Sequence, residues 1–212
     1  MVGIKKAAMV ALAVIMALAL ASCSKGEEPT SVKAGSWSSD GKTFSNKWSK
    51  IQFKLPAGYR SGTDEELDQV YQSAKAVTET MGENSASAIK VTYDLLALKD
   101  PGDIPKLMLL YENLGDSSAS VTTETYFSSM AKQFSAMVKS GITYTESDSK
   151  KVNLAGNSWD SKTYSIKGPT AEAIQQYLLF KRDNYMMTIV ITSEEGYEAE
   201  VESLLDGFSA LK

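Results

Sequence analysis

The stretch Tyr185 to Thr192, YMMTIVIT, is apolar on both sides of an extended chain. Successive side chains on a strand point to opposite faces, so Tyr185, Met187, Ile189 and Ile191 face one way and Met186 and Val190 the other. Leu107, Leu109 and Tyr111 likewise oppose Met108 and Leu110, and Leu178 and Phe180 oppose Tyr177 and Leu179. Strands of this kind must be covered on both faces. The sheet they form is therefore an inner layer.

Three amphipathic helices are available as covers. Thr63-Asp64-Glu65-Glu66 has the form of a capping box, and Leu67, Val70, Tyr71, Ala74 and Val77 follow at helical spacing. A second helix is expected from Thr123 to Ser140, with Phe127, Met130, Ala131, Phe134, Met137 and Val138 as its apolar stripe and Gly141 closing it. The last helix, opened by the box-like Thr192-Ser193-Glu194-Glu195, carries Tyr197, Val201, Leu204, Leu205, Phe208 and Leu211.

Ile51, Phe53 and Leu55 alternate with Lys50, Gln52 and Lys54 in a strand stopped by Pro56. Met81 to Ser87 reads as a polar loop. Ile89–Leu98 and Leu107–Glu112 read as strands joined through Asp100-Pro101-Gly102, a sequence suited to a type II turn. Shorter strands follow at Ile142–Thr145, Val152–Leu154 and Trp159–Ile166. A hairpin pairs Ile174–Lys181 with Tyr185–Thr192 across Arg182-Asp183-Asn184. The expected class is α+β: a three-layer α/β/α sandwich on a largely antiparallel sheet with about three helices.

The N-terminus has a different character. Lys5 and Lys6 precede the 16 residues Ala7 to Ser22, an apolar run ending in small residues. These are the parts of a secretory signal. The run is shorter than the ~20 residues an untilted helix needs to cross hydrocarbon, which argues against an uncleaved anchor. Leu20-Ala21-Ser22-Cys23 resembles the lipobox of bacterial lipoproteins, in which cleavage between the residues matching Ser22 and Cys23 leaves the cysteine carrying diacylglyceryl and palmitate-type chains. Cys23 is the sole cysteine, so it has no disulfide partner, and lipidation gives it a purpose. Residues 1–22 are thus read as signal peptide, 23–35 as a flexible polar tether and 36–212 as one domain.

A second resemblance rests on Asn46-Lys47-Trp48, on Ile51-Gln52-Phe53-Lys54-Leu55-Pro56-Ala57-Gly58-Tyr59 and on Asp64-Glu65-Glu66-Leu67. Together with the order of elements, these segments resemble an "NxW…FxLPxGY…DEEL" pattern in bacterial lipoproteins of the PsbP-like, or Mog-type, α/β/α group, over residues 36–212. The group includes an extrinsic protein of photosystem II and a small Ran-binding import factor. The resemblance implies the fold and, because eukaryotic members bind partner proteins, a binding module. It brings no catalytic residue with it.

The chain has no histidine, which removes Ser-His-Asp and Cys-His catalysis and the common zinc sites. It has no glycine-rich phosphate loop. Cleavage after Ser22 leaves 20 basic against 26 acidic side chains, a net charge of −6, which disfavours nucleic acid. Carboxylate chemistry remains. Asp64, Glu65 and Glu66 suit a helix N-terminus better than calcium. Glu194, Glu195, Glu198, Glu200 and Glu202 read as a solvated helix face, and Glu146 and Asp148 lack EF-hand spacing. No metal or cofactor is expected. Trp37, Trp48, Tyr59 and Trp159 are the candidate aromatic ligand patch, against the alternative that they pack in the core or at an edge.

The expected function is that of a non-catalytic binding module, anchored through its N-terminal lipid on the extracytoplasmic face of the cell membrane, or on the outer membrane of a Gram-negative host. Its expected partner is an envelope protein or surface ligand. Two alternatives stand beside it: a carboxylate-dependent hydrolase of cell-wall or glycan substrates, which needs two acids converging in one cleft with one raised pKa, and an accessory solute-binding lipoprotein.

Overall fold

The computed structural model describes residues 32–80, 91–138, 141–169 and 172–212, apart from the side chains of 74–80, 136 and 137. The signal segment, Cys23 and the expected loop at 81–87 lie outside the described residues. The first half runs β1 (Ser36–Trp37), β2 (Thr43–Asn46), β3 (Ile51–Lys54), β4 (Tyr59–Ser61), α1 (Asp64–Thr80), β5 (Val91–Lys99) and β6 (Lys106–Asn113). A 3-10 turn at Gly115–Ala119 leads into α2 (Thr123–Met137), β7 (Thr143–Glu146), β8 (Lys150–Leu154), β9 (Asn157–Lys167), β10 (Glu172–Arg182), β11 (Tyr185–Ser193), α3 (Glu198–Asp206) and β12 (Phe208–Ala210).

The two-sided strands occupy the middle of a large sheet ordered β4-β5-β6-β11-β10-β9-β7, with β8 also paired to β9. All its strand pairs are antiparallel. One face carries Leu96, Met108, Leu110, Tyr177 and Val190 against Leu67 and Val70 of α1 and Tyr126, Phe127, Met130 and Phe134 of α2. The other carries Leu95, Leu107, Tyr111, Leu178 and Ile189. Its cover is mixed: Phe44, Ile51, Phe53 and Phe208 come from a second antiparallel sheet, β1-β2-β3-β12, and Leu204 comes from α3. The α+β class, the antiparallel sheet and, among the described residues, the three helices are as the sequence implies, with the small sheet sharing the third layer.

Several local expectations change. The β10–β11 hairpin closes on the pair Arg182↔Tyr185, leaving a two-residue loop with Asp183 at φ 52°. In the β5–β6 connection the Asp100–Pro101 and Ile104–Pro105 peptides are cis, Gly102 has φ 122°, and the Asp103 N–H donates to the Lys99 carbonyl at 3.0 Å. Thr192 and Ser193 remain in the ladder opposite Gln175 and Ile174. This moves the start of the last helix to Glu198, beyond Gly196 at φ 89°. Phe208 leaves that helix and pairs with Phe53 as a strand residue. At the end of α2, Val138 is the C-cap and is exposed rather than part of the stripe.

Candidate functional site

The motif Asn46-Lys47-Trp48 sits where the small sheet meets the large one. Asn46 ends β2, and its Oδ1 accepts from the backbone N–H groups of Trp48 (2.8 Å) and Ser49 (2.9 Å). The side chain thereby shapes the four-residue loop back to Ile51. Lys50 closes that loop at φ 54°, which breaks strict alternation and turns Trp48 inward. Its ring meets Tyr111 and Tyr185 edge-on at 5.2 and 5.1 Å. Arg182 donates to the Trp48 carbonyl at 3.0 Å.

The amide nitrogen of Asn46 reaches Asp94. Between Tyr93 and Leu95 the β5–β6 register slips, placing Asp94 in a bulge. A bulge re-aims a side chain, and here it turns Asp94 toward Tyr111. Asp94 is only 7% exposed. Its Oδ1 accepts from the Gly35 N–H at 2.7 Å, and its Oδ2 accepts from Asn46 Nδ2 at 2.6 Å and the Tyr111 hydroxyl at 2.9 Å. Burial pushes the carboxyl above its ordinary range, opposed by those three hydrogen bonds. Asn46 Nδ2 also donates to the Lys33 carbonyl at 3.1 Å. The entering chain is thus fastened from Lys33 onward, so the last residues of the expected tether belong to the fold.

The four aromatic candidates do not form an exposed patch. Trp159 is 0% exposed, donates from Nε1 to the Leu154 carbonyl at 3.0 Å and packs on Phe180. Tyr59 is buried, with Lys99 Nζ over its ring, and burial, with Glu200 and Tyr197 nearby, pushes its phenol up to about 12. Trp37 is half-buried on Phe44 and Phe53, and Trp48 is half-buried in the cluster above. All four belong to, or pack against, the core between the two sheets. The cause is the second sheet, which covers the face they occupy.

The acids are placed as follows. Glu66 completes a capping box with Thr63 and forms a two-pronged pair with Arg60 at 2.6 and 2.8 Å. Arg60 and these hydrogen bonds hold the Glu66 carboxyl down at about 2, against some desolvation. Glu146 pairs with Lys162 at 3.3 Å. Glu194 and Glu195 precede α3 rather than lying on it; with Glu172 and Glu198 they line an open groove of about 740 Å³. Glu124, Asp148 and Asp160 share a cleft of about 420 Å³ at the start of α2. Desolvation works to raise Asp160, but hydrogen bonds from Lys151 and Thr123 outweigh it and hold the carboxyl below its ordinary range. No group of three or more acids and thiols able to hold a metal occurs among the described residues.

Two residues were not singled out from the sequence. Asp94 is the lone charge in the run VTYDLLAL, a visible signal because a buried carboxylate needs donors. Lys106 opens the apolar run of β6 and is 8% exposed, facing a small cavity beside α1.

Comparison with solved structures fits this architecture. The solution structure of cyanobacterial PsbP (CyanoP) from Synechocystis sp. PCC 6803 superposes with a TM-score of 0.50 at 11% identity, covering 90% of this chain and 98% of that one. The fold is PsbP-like. A crystal structure from Bacteroides thetaiotaomicron VPI-5482 matches with a TM-score of 0.42 at 11% identity, over 81% of this chain and 49% of that one. A protein of unknown function from Pseudomonas aeruginosa matches with a TM-score of 0.35 at 10% identity, over 53% and 72%. No family model and no curated protein matches the sequence. The PsbP-like domain accounts for the motif residues structurally: Asn46 shapes a loop, and Glu66 caps a helix.

Proposed function

We propose that this chain is a membrane-tethered, non-catalytic binding module on the extracytoplasmic face of the cell membrane, or on the outer membrane where the host has one. Cys23 is its lipid-bearing first residue after cleavage behind Ser22. The observation that carries the non-catalytic reading is the assignment of Asp94. It is the enclosed, raised carboxyl of the kind that general acid catalysis uses, yet its oxygens are occupied by Gly35, Asn46 and Tyr111. In the cleft at α2, where acids do converge, Asp160 is held in its ionised form.

The anchoring reading draws its support from the signal and lipobox residues. Eight residues, 24–31, separate Cys23 from Val32, nine Cα steps with a reach of at most about 30 Å when fully extended. The domain therefore stays near the bilayer, and its partner is an envelope protein or a surface ligand presented there. Two acyl chains hold a protein stably where one does not.

The test is mass spectrometry and membrane fractionation of the full-length protein from its own host, followed by a pull-down of the lipidated form. The expected results are acyl-modified Cys23, release of Cys23→Ser from membranes, and a co-purifying envelope component. A soluble species starting at Met1 would overturn the anchor. Hydrolysis of a cell-wall, glycan or ester substrate that is abolished by Asp160→Asn would overturn the non-catalytic reading.

A further inference from the structure

The charges of the domain are sorted along its strands. β10 runs from Glu172 to Arg182 and spans roughly 35 Å at ~3.4 Å per residue. Its first end carries the open groove of Glu172, Glu194, Glu195 and Glu198, where Lys167 is taken up by Glu172 at 2.9 Å. Its other end, at the β10–β11 hairpin, is where the chain enters. There Asn46 Nδ2 holds the Lys33 carbonyl at 3.1 Å, and Arg182 holds the loop from Lys47 to Lys50 through the Trp48 carbonyl at 3.0 Å. Lys33, Lys47 and Lys50 are exposed and make no ion pair among the described residues. Lys181, next to Arg182, donates to the Ser118 carbonyl. The acids beside these cations are Asp183 at the hairpin tip and Asp116 in the 3-10 turn, both exposed, with Asp94 and Glu112 enclosed beneath. Asp160, three ladder positions in from Arg182, is paired with Lys151. Five cations against four acids at the entry end thus stand opposite one cation against four acids in the groove.

A chain of net charge −4 would be repelled by an anionic bilayer if that charge were evenly spread. Here the two ends feel a charged surface differently. Their separation of roughly 35 Å is several times the screening length of about 10 Å at 0.1 M salt, so a surface touching one end acts on that end alone. The tether leads to Val32 at the entry end, and its reach of at most about 30 Å does not by itself choose a face. We infer, on the footing of the anchoring reading, that the domain docks on an anionic bilayer with its Lys33, Lys47 and Lys50 end against the lipid headgroups. The acidic groove is then turned away from the membrane. Each lysine close to an anionic surface shifts the docked population about fivefold, so the three exposed ones together shift it on the order of a hundredfold.

The experiment reconstitutes the mature lipoprotein from its own host into vesicles of phosphatidylcholine alone, or of phosphatidylcholine mixed equally with phosphatidylglycerol. Cys23 is the sole cysteine and carries lipid on this reading, so a thiol dye reports one introduced position at a time. Asn184→Cys marks the hairpin tip and Ala199→Cys the groove end, both at exposed positions. Energy transfer to headgroup-labelled lipid reads which end lies on the membrane. Transfer from Asn184→Cys is expected to exceed that from Ala199→Cys by a wider margin in the mixed vesicles than in phosphatidylcholine alone. The extra margin is expected to vanish as salt rises from about 0.1 to about 1 M, where the screening length falls from about 10 to about 3 Å. Lys33→Gln, Lys47→Gln and Lys50→Gln together are expected to remove it as well. A margin indifferent to lipid charge, to salt or to the triple substitution would overturn the docking, and so would closer approach of Ala199→Cys. Flotation with phosphatidylcholine vesicles reads the anchor separately. If the protein fails to float with them, the anchor falls; the docking is then decided by whether it floats with mixed vesicles at low salt while the triple variant does not.

Discussion

Replacing Asp94 by asparagine tests whether one carboxylate fastens the entering chain to the sheet. Asp94 accepts three hydrogen bonds, from Gly35 N–H, Asn46 Nδ2 and the Tyr111 hydroxyl. An asparagine amide keeps one acceptor oxygen and adds an NH₂ group. Asn46 cannot turn to receive that group, because its own oxygen is committed to Trp48 and Ser49. Tyr111 can rotate its hydroxyl to accept, but either Asn46 Nδ2 or Gly35 N–H then faces another donor. One charge-assisted bond is lost and one buried donor is orphaned, each worth about 1.5–3 kcal/mol at most. Relief of the desolvation of a buried charge offsets part of this, leaving a net destabilisation of about 2 kcal/mol. At a urea m-value of about 2 kcal/mol/M, the unfolding midpoint falls by about 1 M.

The pH dependence carries a definite sign. Burial raises Asp94 above 3.8, so the native state binds this proton more tightly than the unfolded chain. Its contribution is then largest in acid and declines as pH rises through the raised value. The penalty of Asp94→Asn should accordingly grow as pH falls from 7 toward 4. Amide hydrogen exchange at Gly35 should accelerate with the global change or beyond it. A midpoint shift below about 0.25 M, which is ~0.5 kcal/mol at that slope, with Gly35 exchange unaltered, would refute the reasoning.

Glu66→Gln is expected to flatten part of the acid limb of the stability curve. The folded carboxyl is depressed from 4.5 to about 2, so its stabilisation is full above pH 4.5 and is lost as pH falls toward 2. With both partners about a third exposed, the loss at neutral pH is about 1 kcal/mol, read from urea titrations of the two proteins between pH 2 and 7; identical slopes would count against the pair. Trp159→Phe removes the Nε1–H donor to the Leu154 carbonyl and leaves a void between the sheets. Calorimetry should show a loss of about 2 kcal/mol, rising to about 3–5 kcal/mol for Trp159→Ala. A neutral Trp159→Ala would contradict its placement in the core.

Sequence periodicity alone established the central layer, because Met186 and Val190 opposite Met187 and Ile189 demand cover on both faces wherever the strand lies. The Thr63–Glu66 capping box and the β10–β11 hairpin were legible for the same reason: each joins residues close in the chain, where spacing and geometry are linked. Tertiary structure decided the rest. The bulge that turns Asp94 toward Asn46 and Gly35, 48 and 59 residues away, has no local signature beyond a charge in an apolar run. Phe208 became a strand residue because Phe53 supplied a ladder partner, although its helical spacing was sound. The aromatic rings were buried by the small sheet assembled from both ends of the domain. Lys106 shares a small cleft with Glu66, Val70 and Leu96 because α1 packs beside β5 and β6, a contact that neither segment specifies by itself. Hydrophobic pattern tells a strand that it must be covered; which distant segment covers it depends on pairing and packing that exist only once the chain has closed on itself.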